Sequence, residues 1–546
     1  MDSLSKKTLE HFKGKIVRKD LTNMMKRGVN VPGYVLEYLL GMYCSTDDQN
    51  VINAGVKKII KILSSNYVRY DEIEKIKFEL SEKGEYTIID KIQGRVDEDE
   101  NLYYASFTNF NVGEFVLEKE YAQRYPKVFS GGIWCMAKIK YDKFVPVQDD
   151  EEEVKQTSPS LTRRKGKKKI VFSPYSIAGL KPIQVPNLNV ESFIELRKHF
   201  SLEEWMILML RSVGIEGANL NDKEKFHFIE RIVPLFERNY NLVELGPRGT
   251  GKSHIYKEIS PYSVLISGGQ TSISSLFYNM NRKMVGLVGN WDCIAFDEIA
   301  GMGFNNPNGI QILKDYMASG SFSRGKEVIY ADASMVFIGN TNDTVENMLK
   351  ISHLFSPFPA TFSSDSAFFD RMHYYLPGWE IPKIKAEYLT EEFGLISDCF
   401  AEYAKELRKQ DYSHLFDEWF KFNENVTTRD ENAIRKTISG LVKILYPDLN
   451  YNKEDAEKII TYAIEGRRRV KEQLRRIAGE EFADVDLGYI TTDGKEVIVN
   501  LPEKSESTLF SSKELLPGHV YSVAYSNSVK HPGAYKVEAK SIPGDG

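Results

Sequence analysis

"NLVELGPRGTGKS", residues 241–253, begins as an apolar run and breaks off into three glycines, a proline and a lysine. Glycine and proline punctuate regular structure, so a strand ending near Leu245 is expected. The stretch Gly246-Pro247-Arg248-Gly249-Thr250-Gly251-Lys252-Ser253 has the spacing G-x-x-x-x-G-K-[ST] of a phosphate-binding loop. Glycines let successive backbone N–H groups curl round an anion with no side chain in the way. The helix-compatible "HIYKEI" that follows points its positive end at the same anion. In such a loop Lys252 reaches the β- and γ-phosphates of ATP, and the Ser253 hydroxyl holds Mg2+.

Outward from the loop, apolar runs alternate with helical segments: "YNLVEL", "SVLISG", "CIAFDE", "ASMVFIGN" and "HYYLPG". This predicts a parallel α/β sheet of about five strands, entered through the helical "VESFIELRKHFSLEEWMILMLRSVG", within residues 185–384. Residues 385–480 read as helical in "AEYLTEEFGLISDCFAEYAKELRK", "RDENAIRKTISGLVKIL" and "KEDAEKIITYAIEGRRRVKEQLRRI", and 481–546 returns to short strands. Upstream, residues 1–70 carry apolar positions at helical spacing ("VPGYVLEYLLGMYC", "VINAGVKKIIKILSSNYV"). Residues 71–147 alternate β-formers with polar residues and turn signals, which predicts an OB-like β barrel. Such a barrel either offers strands and loops to nucleic acid or is wholly structural.

Between them, "QDDEEEVKQTSPSLTRRKGKKK" opens with five acids and closes with six basic residues in seven. It lacks core-forming residues, so 148–184 is expected to be a charged linker or hairpin. Its basic end, with Arg163 and Arg164, is either a solvated tail or a contact to DNA phosphates. The fold class is therefore multidomain α+β: a helical and barrel-like N-terminal region, a P-loop α/β core with a helical lid, and a short β-rich C-terminal segment.

A chain of 546 residues is too long for one core, and 42% hydrophobic with 27% charged residues is ordinary for a soluble globular protein. No stretch reaches the length of a membrane span, and "MDSLSKKTLEHFKGK" lacks a signal-peptide hydrophobic region, so a cytoplasmic location is expected. Cys44, Cys135, Cys293 and Cys399 lie far apart with no CxxC pair, which argues for reduced thiols and against a zinc site. The net charge of −5 means that any nucleic-acid surface must be a local patch.

"CIAFDE" lies forty-five residues beyond Lys252 and ends in Asp297 and Glu298. A carboxylate at the end of a buried strand beside a phosphate loop holds Mg2+, here Asp297. The adjoining Glu298 then orients and deprotonates the attacking water. "ASMVFIGNTN" ends in the amides Asn340 and Asn342, and "FFDRMHYYLPGW" puts Arg371 just before a strand. An arginine there fits a finger acting in trans on developing phosphate charge.

In this order the motifs resemble ring ATPases of the AAA+ class. "FDRM" resembles the same place in Lon-type ATPases, and "SGSFSRGKEVIYADASMVFIGNTN" resembles the hairpin before sensor 1 in MCM-like helicases. "AIEGRRRVKEQL" and "PGHVYSVAYSNSVKHPGAYKVEAKSIPGDG" are similar to the BrxL family, the Lon-related AAA+ ATPases of bacterial BREX phage-defence systems. The resemblance implies a homo-oligomeric ring, hexameric or stacked as a double hexamer, enclosing DNA that is expected to be double-stranded and bound without sequence preference. Other BREX proteins are further candidate partners. It also implies Walker A roles for Lys252 and Ser253, Walker B roles for Asp297 and Glu298, sensor 1 for Asn342, the finger for Arg371 and sensor 2 for Arg429. Asn340 and Arg435 are the alternatives for the two sensors. A Lon-like protease domain needs well over a hundred residues after the lid, whereas 66 follow Glu480, so protease activity is not expected.

Two activities remain open from the sequence. A DNA-engaging ATPase would place Arg324 and Lys326 of "SFSRGKE" on phosphates, the less favoured reading of Arg324 being a contact to a neighbouring subunit. A protein-unfolding partner of a Lon-like protease would use an aromatic pore loop, for which "SISSLFYNMN", with Phe277 and Tyr278, is the candidate; core packing is the simpler reading of those rings.

Overall fold

The computed structural model describes residues 2–26, 31–97, 102–141, 161–163, 170–172, 174–185, 188–267, 270–279, 284–304, 308–324, 327–363, 365–503, 519–526 and 529–539. At its centre five strands run parallel: β1 (Asn241–Gly246), β2 (Ser263–Ser267), β3 (Cys293–Asp297), β4 (Ser334–Asn340) and β5 (Tyr374–Pro377). Their order is 5-1-4-3-2. Leu242, Ala295, Val336, Ile338 and Leu376 face one hydrophobic core, while Val243, Leu245, Phe296, Phe337 and Tyr375 face a second. Burial on both faces is what unbroken apolar runs require of a parallel sheet. Because the strands are parallel, their carboxyl ends share one edge, and Gly246 there lies opposite Asn340 in register.

The entry region forms two helices, Val190–Arg197 and Leu202–Ser212, and the helix Asp222–Phe236 leads into β1. Beyond β5 the long helices Thr428–Leu445 and Lys453–Ala478 form, each opened by a reciprocal cap, Thr427 with Asp430 and Asn452 with Asp455. The segment from 386 is not one helix. Phe393–Leu395 is a strand paired antiparallel with Ile16–Arg18, and the helix runs only over Ser397–Leu407. Packing overrides the helical spacing: a Cβ on Gly394 would lie 2.6 Å from the carbonyl oxygen of Arg211, so the chain is pressed flat against a neighbouring helix.

The first seventy residues are helical over Ser3–His11, Lys19–Lys26, Gly33–Cys44 and Gln49–Asn66. They are followed by the helix Ile73–Lys83 and an antiparallel sheet ordered Phe115–Val116, Leu102–Phe107, Glu85–Asp97, Ile133–Tyr141, Tyr175–Pro182. Among the described residues its two edge strands share no hydrogen bonds, so the closure expected of a barrel is not drawn by strand pairing. Its last strand lies inside the stretch expected to be a linker, pairing Ile139 with Ile177 and Ala137 with Leu180. These are apolar positions that the dominant charge of 148–169 masked. Leu161–Arg163 pairs with Ile170–Phe172, whereas Arg164 lies outside the described residues.

At the far end, Phe420–Phe422, Gly488–Thr491 and Glu496–Ile498 make a three-stranded sheet, and His519–Ser526 pairs with Val529–Glu538. All four cysteines are buried and free. No described helix is long and apolar enough to cross a membrane.

Candidate nucleotide site

The carboxyl edge of the sheet opens into a cavity of about 290 Å3 lined by Arg248, Gly249, Thr250, Gly251, Lys252, Ser253, His254, Asp297, Glu298 and Asn340. The loop's glycines are sterically required. Gly249 and Gly251 have φ of 87° and 76°, and a Cβ on Gly246 would fall 2.4 Å from the backbone of Gly378. The helix Lys252–Glu258 starts at the cavity. Lys252 donates to the carbonyls of Pro247 (2.7 Å) and Gly246 (3.2 Å). Burial pulls its pKa down, the Glu244 carboxylate opposes that, Arg231 adds to it, and Asp297 opposes it.

Asp297 closes β3, and its Oδ1 accepts the backbone N–H of Glu298 at 2.9 Å. Glu298 takes φ 52° and ψ 51°, a left-handed conformation costly for a residue with a Cβ. That turn brings the glutamate, as well as the aspartate, onto the cavity wall. The residues present fit ATP and Mg2+. A cradle of N–H groups that no Cβ obstructs, a lysine, and the oxygen donors of Ser253 and Asp297 suit phosphates and a hard cation that keeps waters and phosphate oxygens as its other ligands.

Beneath the loop is a feature that the apolar reading of β1 passed over. Glu244 and Arg231 form an ion pair at 2.5 Å with side chains 0% and 1% exposed. Arg231 Nε donates to the same carboxylate (2.9 Å), and a third N–H reaches the carbonyl of Thr250 (2.9 Å). Arg231 thereby ties the helix Asp222–Phe236 to the phosphate loop. A lone acid in a strand with every residue buried was the available signal. His254 was also missed; burial and then Lys26 hold its pKa below the usual imidazole value.

Of the two asparagines, Asn340 lines the cavity, while Asn342 is exposed in the loop beyond β4. Arg371 stands at the other end of the sheet. Its carbonyl accepts the side chain of Asn241, the first residue of β1, at 2.9 Å. Five residue steps of about 3.3 Å put roughly 16 Å of strand between that point and Gly246. Arg371 donates to the carbonyl of Ala367, and its Nε is buried with no hydrogen-bond partner among the described residues. Burial lowers its pKa, and then the nearby Arg429 does.

Arg429, 63% exposed, pairs with Asp370 beside Arg371 rather than lining the cavity. Arg435 is engaged elsewhere by Asp417 (2.6 Å) and Glu431 (2.8 Å). The structure thus gathers Lys252, Ser253, Asp297, Glu298 and Asn340 in one place and Arg371 and Arg429 in another.

The hairpin Ser321–Arg324 and Glu327–Tyr330 is present, with Arg324 opposite Glu327; Lys326 lies outside the described residues. Phe322 anchors its root against Phe277, ring centroids 5.3 Å apart. Phe277 and Tyr278 are themselves buried in the core, as packing residues.

Comparison with known proteins adds the family. Residues 175–488 match the family model described as Lon-like protease BrxL-like, ATPase domain, and residues 10–141 match BREX system Lon protease-like protein BrxL N-terminal. A protein named Lon-like protease BrxL from Bacillus cereus (strain H3081.97) is 50% identical over 100% of this chain and 78% of its own length. Another of that name from Escherichia coli O9:H4 (strain HS) is 47% identical over 98% of this chain and 74% of its own. With a phosphate loop, a Walker-type carboxylate pair and both family models along its length, the chain belongs to the BrxL family of BREX systems.

Proposed function

We propose that the chain is an ATP-hydrolysing subunit of a homo-oligomeric ring, a hexamer or a stacked double hexamer, that engages double-stranded DNA without reading its sequence, in bacterial cytoplasmic anti-phage defence alongside other BREX proteins. The observation that carries the ring is the distance between Arg371 and the phosphate loop of its own chain. A cation at the amino end of β1 cannot serve phosphates held at the carboxyl end, so its partner is the nucleotide of a neighbouring subunit. Arg429, beside it, faces the same neighbour.

Within one subunit, the loop N–H groups and Lys252 bind the triphosphate. Ser253 and Asp297 would hold Mg2+, which supplies charge neutralisation across the phosphates. Glu298 takes the proton of the attacking water, and Asn340, rather than Asn342, orients that water. Electrostatic stabilisation of the developing charge then comes from the neighbour's Arg371 and Arg429.

DNA engagement rests on the hairpin, whose root is fixed by Phe322 and whose first strand ends at Arg324, and on Lys326, which follows two residues later in the sequence. Cations on a hairpin follow phosphates irrespective of sequence. Replacing both by alanine is expected to weaken duplex binding alike on many sequences and to flatten the slope of log affinity against log salt by roughly one to two per subunit engaged. ATPase activity and ring size should survive. Fluorescent-duplex binding over a salt series, with light scattering for assembly, makes the measurement. Unchanged affinity and slope would move the contact to the N-terminal sheet or to Arg163 and Arg164. No DNA binding by the parent protein would favour a protein-unfolding ATPase.

A further inference from the structure

The helix Lys453–Ala478 contains three successive arginines, Arg467, Arg468 and Arg469, each no more than 1% exposed. Successive helical positions point about 100° apart, so each reaches a different element. Arg468 bonds Asp486 and the carbonyl of Val499. Arg469 bonds Glu503 (3.0 Å), Glu465 (2.8 Å) and the carbonyl of Tyr375 (3.2 Å).

Arg467 alone reaches the loop ahead of β5. One terminal nitrogen donates to the carbonyls of Asp370 (3.0 Å) and Met372 (2.6 Å), the two residues flanking Arg371. The other donates to Asp370 Oδ1 (2.7 Å), and Nε donates to Asp430 Oδ1 (2.8 Å). The second oxygen of Asp370 holds Arg429, and that of Asp430 holds Lys471 (2.6 Å). The helix comes close enough because residue 466 is glycine: a Cβ there would meet the ring of Tyr374 at 2.0 Å.

We infer that Arg467 is a positioning residue for the trans-acting cations, clamping the main chain on both sides of Arg371 and, through Asp370, setting the direction of Arg429. This rests on the proposed finger role of Arg371. A guanidinium has the fixed fork needed to hold two carbonyls and two carboxylates at once; a lysine ammonium at that position has one nitrogen and three donors. Burying such a network is costly, and the geometry it imposes lies where a misplaced arginine would lose contact with a neighbour's phosphate.

The test uses the full-length protein with Arg467→Lys, and with Asp370→Asn as a second, shape-conserving variant. Either variant is expected to lower kcat about tenfold or more while KM for ATP stays within about twofold, because its own phosphate loop is intact. Mixed with Lys252→Ala subunits, which offer a sound finger, Arg467→Lys subunits should regain activity; mixed with Arg371→Ala subunits they should not. A purely structural defect would not sort the variant into the finger's complementation group. Full kcat in both variants, or rescue by Arg371→Ala subunits, would each overturn the assignment. If Arg371→Ala itself keeps wild-type kcat, the finger reading fails instead.

Discussion

The side-chain amide of Asn241 and the main-chain carbonyl of Arg371 are joined by a 2.9 Å hydrogen bond, at the end of β1 opposite the phosphate loop. In the ring proposed above, this separation assigns the two halves of one catalytic apparatus to different subunits. Arg371→Ala rings should therefore lose about a thousandfold or more in kcat, as for other arginine fingers. Lys252→Ala rings should be inactive for the separate reason that the phosphates lose their cation. Equal mixtures should recover ATPase activity well above either parent, and mixtures inactive at every ratio would remove Arg371 from the interface.

Glu298 offers a cleaner separation of binding from chemistry. With Asp297, Lys252 and Ser253 untouched, Glu298→Gln should bind a fluorescent ATP analogue normally and hydrolyse ATP about 10²–10⁴-fold more slowly, the usual worth of a general base. Comparable turnover in the two proteins would take the base role from Glu298.

The buried pair Arg231–Glu244 predicts an asymmetry between single and double substitution. Arg231→Met leaves a buried carboxylate and the Thr250 carbonyl without their partner, and should cost about 3–5 kcal/mol of stability. Arg231→Met combined with Glu244→Leu should recover much of that stability. ATP affinity should remain impaired in the double variant, because the phosphate loop has still lost its tether to the helix beneath it. Thermal unfolding and nucleotide titration of the two variants beside the parent protein make the comparison.

Asp398 supplies a pH prediction. Complete burial pushes its pKa up to about 6, against the hydrogen bond donated by the Val185 N–H and with help from the Glu402 charge. A carboxylate whose folded pKa is raised stabilises most below its unfolded value near 3.8, and loses that contribution as pH rises through about 6. The free energy of unfolding should therefore fall between pH 4 and 6 by about 3 kcal/mol at most, read as a falling thermal midpoint, and Asp398→Ala should flatten the fall. Asp430 and Glu380, both held near 2, act with the opposite sign and lose stability only as pH drops from about 4 towards 2. An unchanged slope in Asp398→Ala would show that the group is ionised at no cost.

Each core strand was legible because an apolar run ending in glycine, carboxylate or amide has few other readings. The loop geometry followed from glycine spacing alone. What escaped was whatever depends on tertiary contact. Asn340 and Asn342 are two residues apart, and only the end of β4 decides which one reaches the cavity. Glu244 sat unremarked inside an apolar run, and its buried pairing with Arg231 becomes visible only once the helix packs beneath β1. "EFGLIS" carried helical neighbours, yet its pairing with Ile16–Arg18 comes from the opposite end of the chain. The strand Tyr175–Pro182 was hidden by the charged run before it.

That pairing between Ile16–Arg18 and Phe393–Leu395 has a consequence during synthesis. The ribosome releases the first strand early, but its partner appears only after residue 393 has left the tunnel. At about 5–20 residues per second that is a wait of roughly 20–75 s. Throughout it, Ile16 and Val17, both buried in the finished molecule, lack the strand that pairs with them. The nascent amino terminus is therefore a natural client for chaperones that bind short apolar stretches, and it is the first place where slow translation would expose the chain to aggregation.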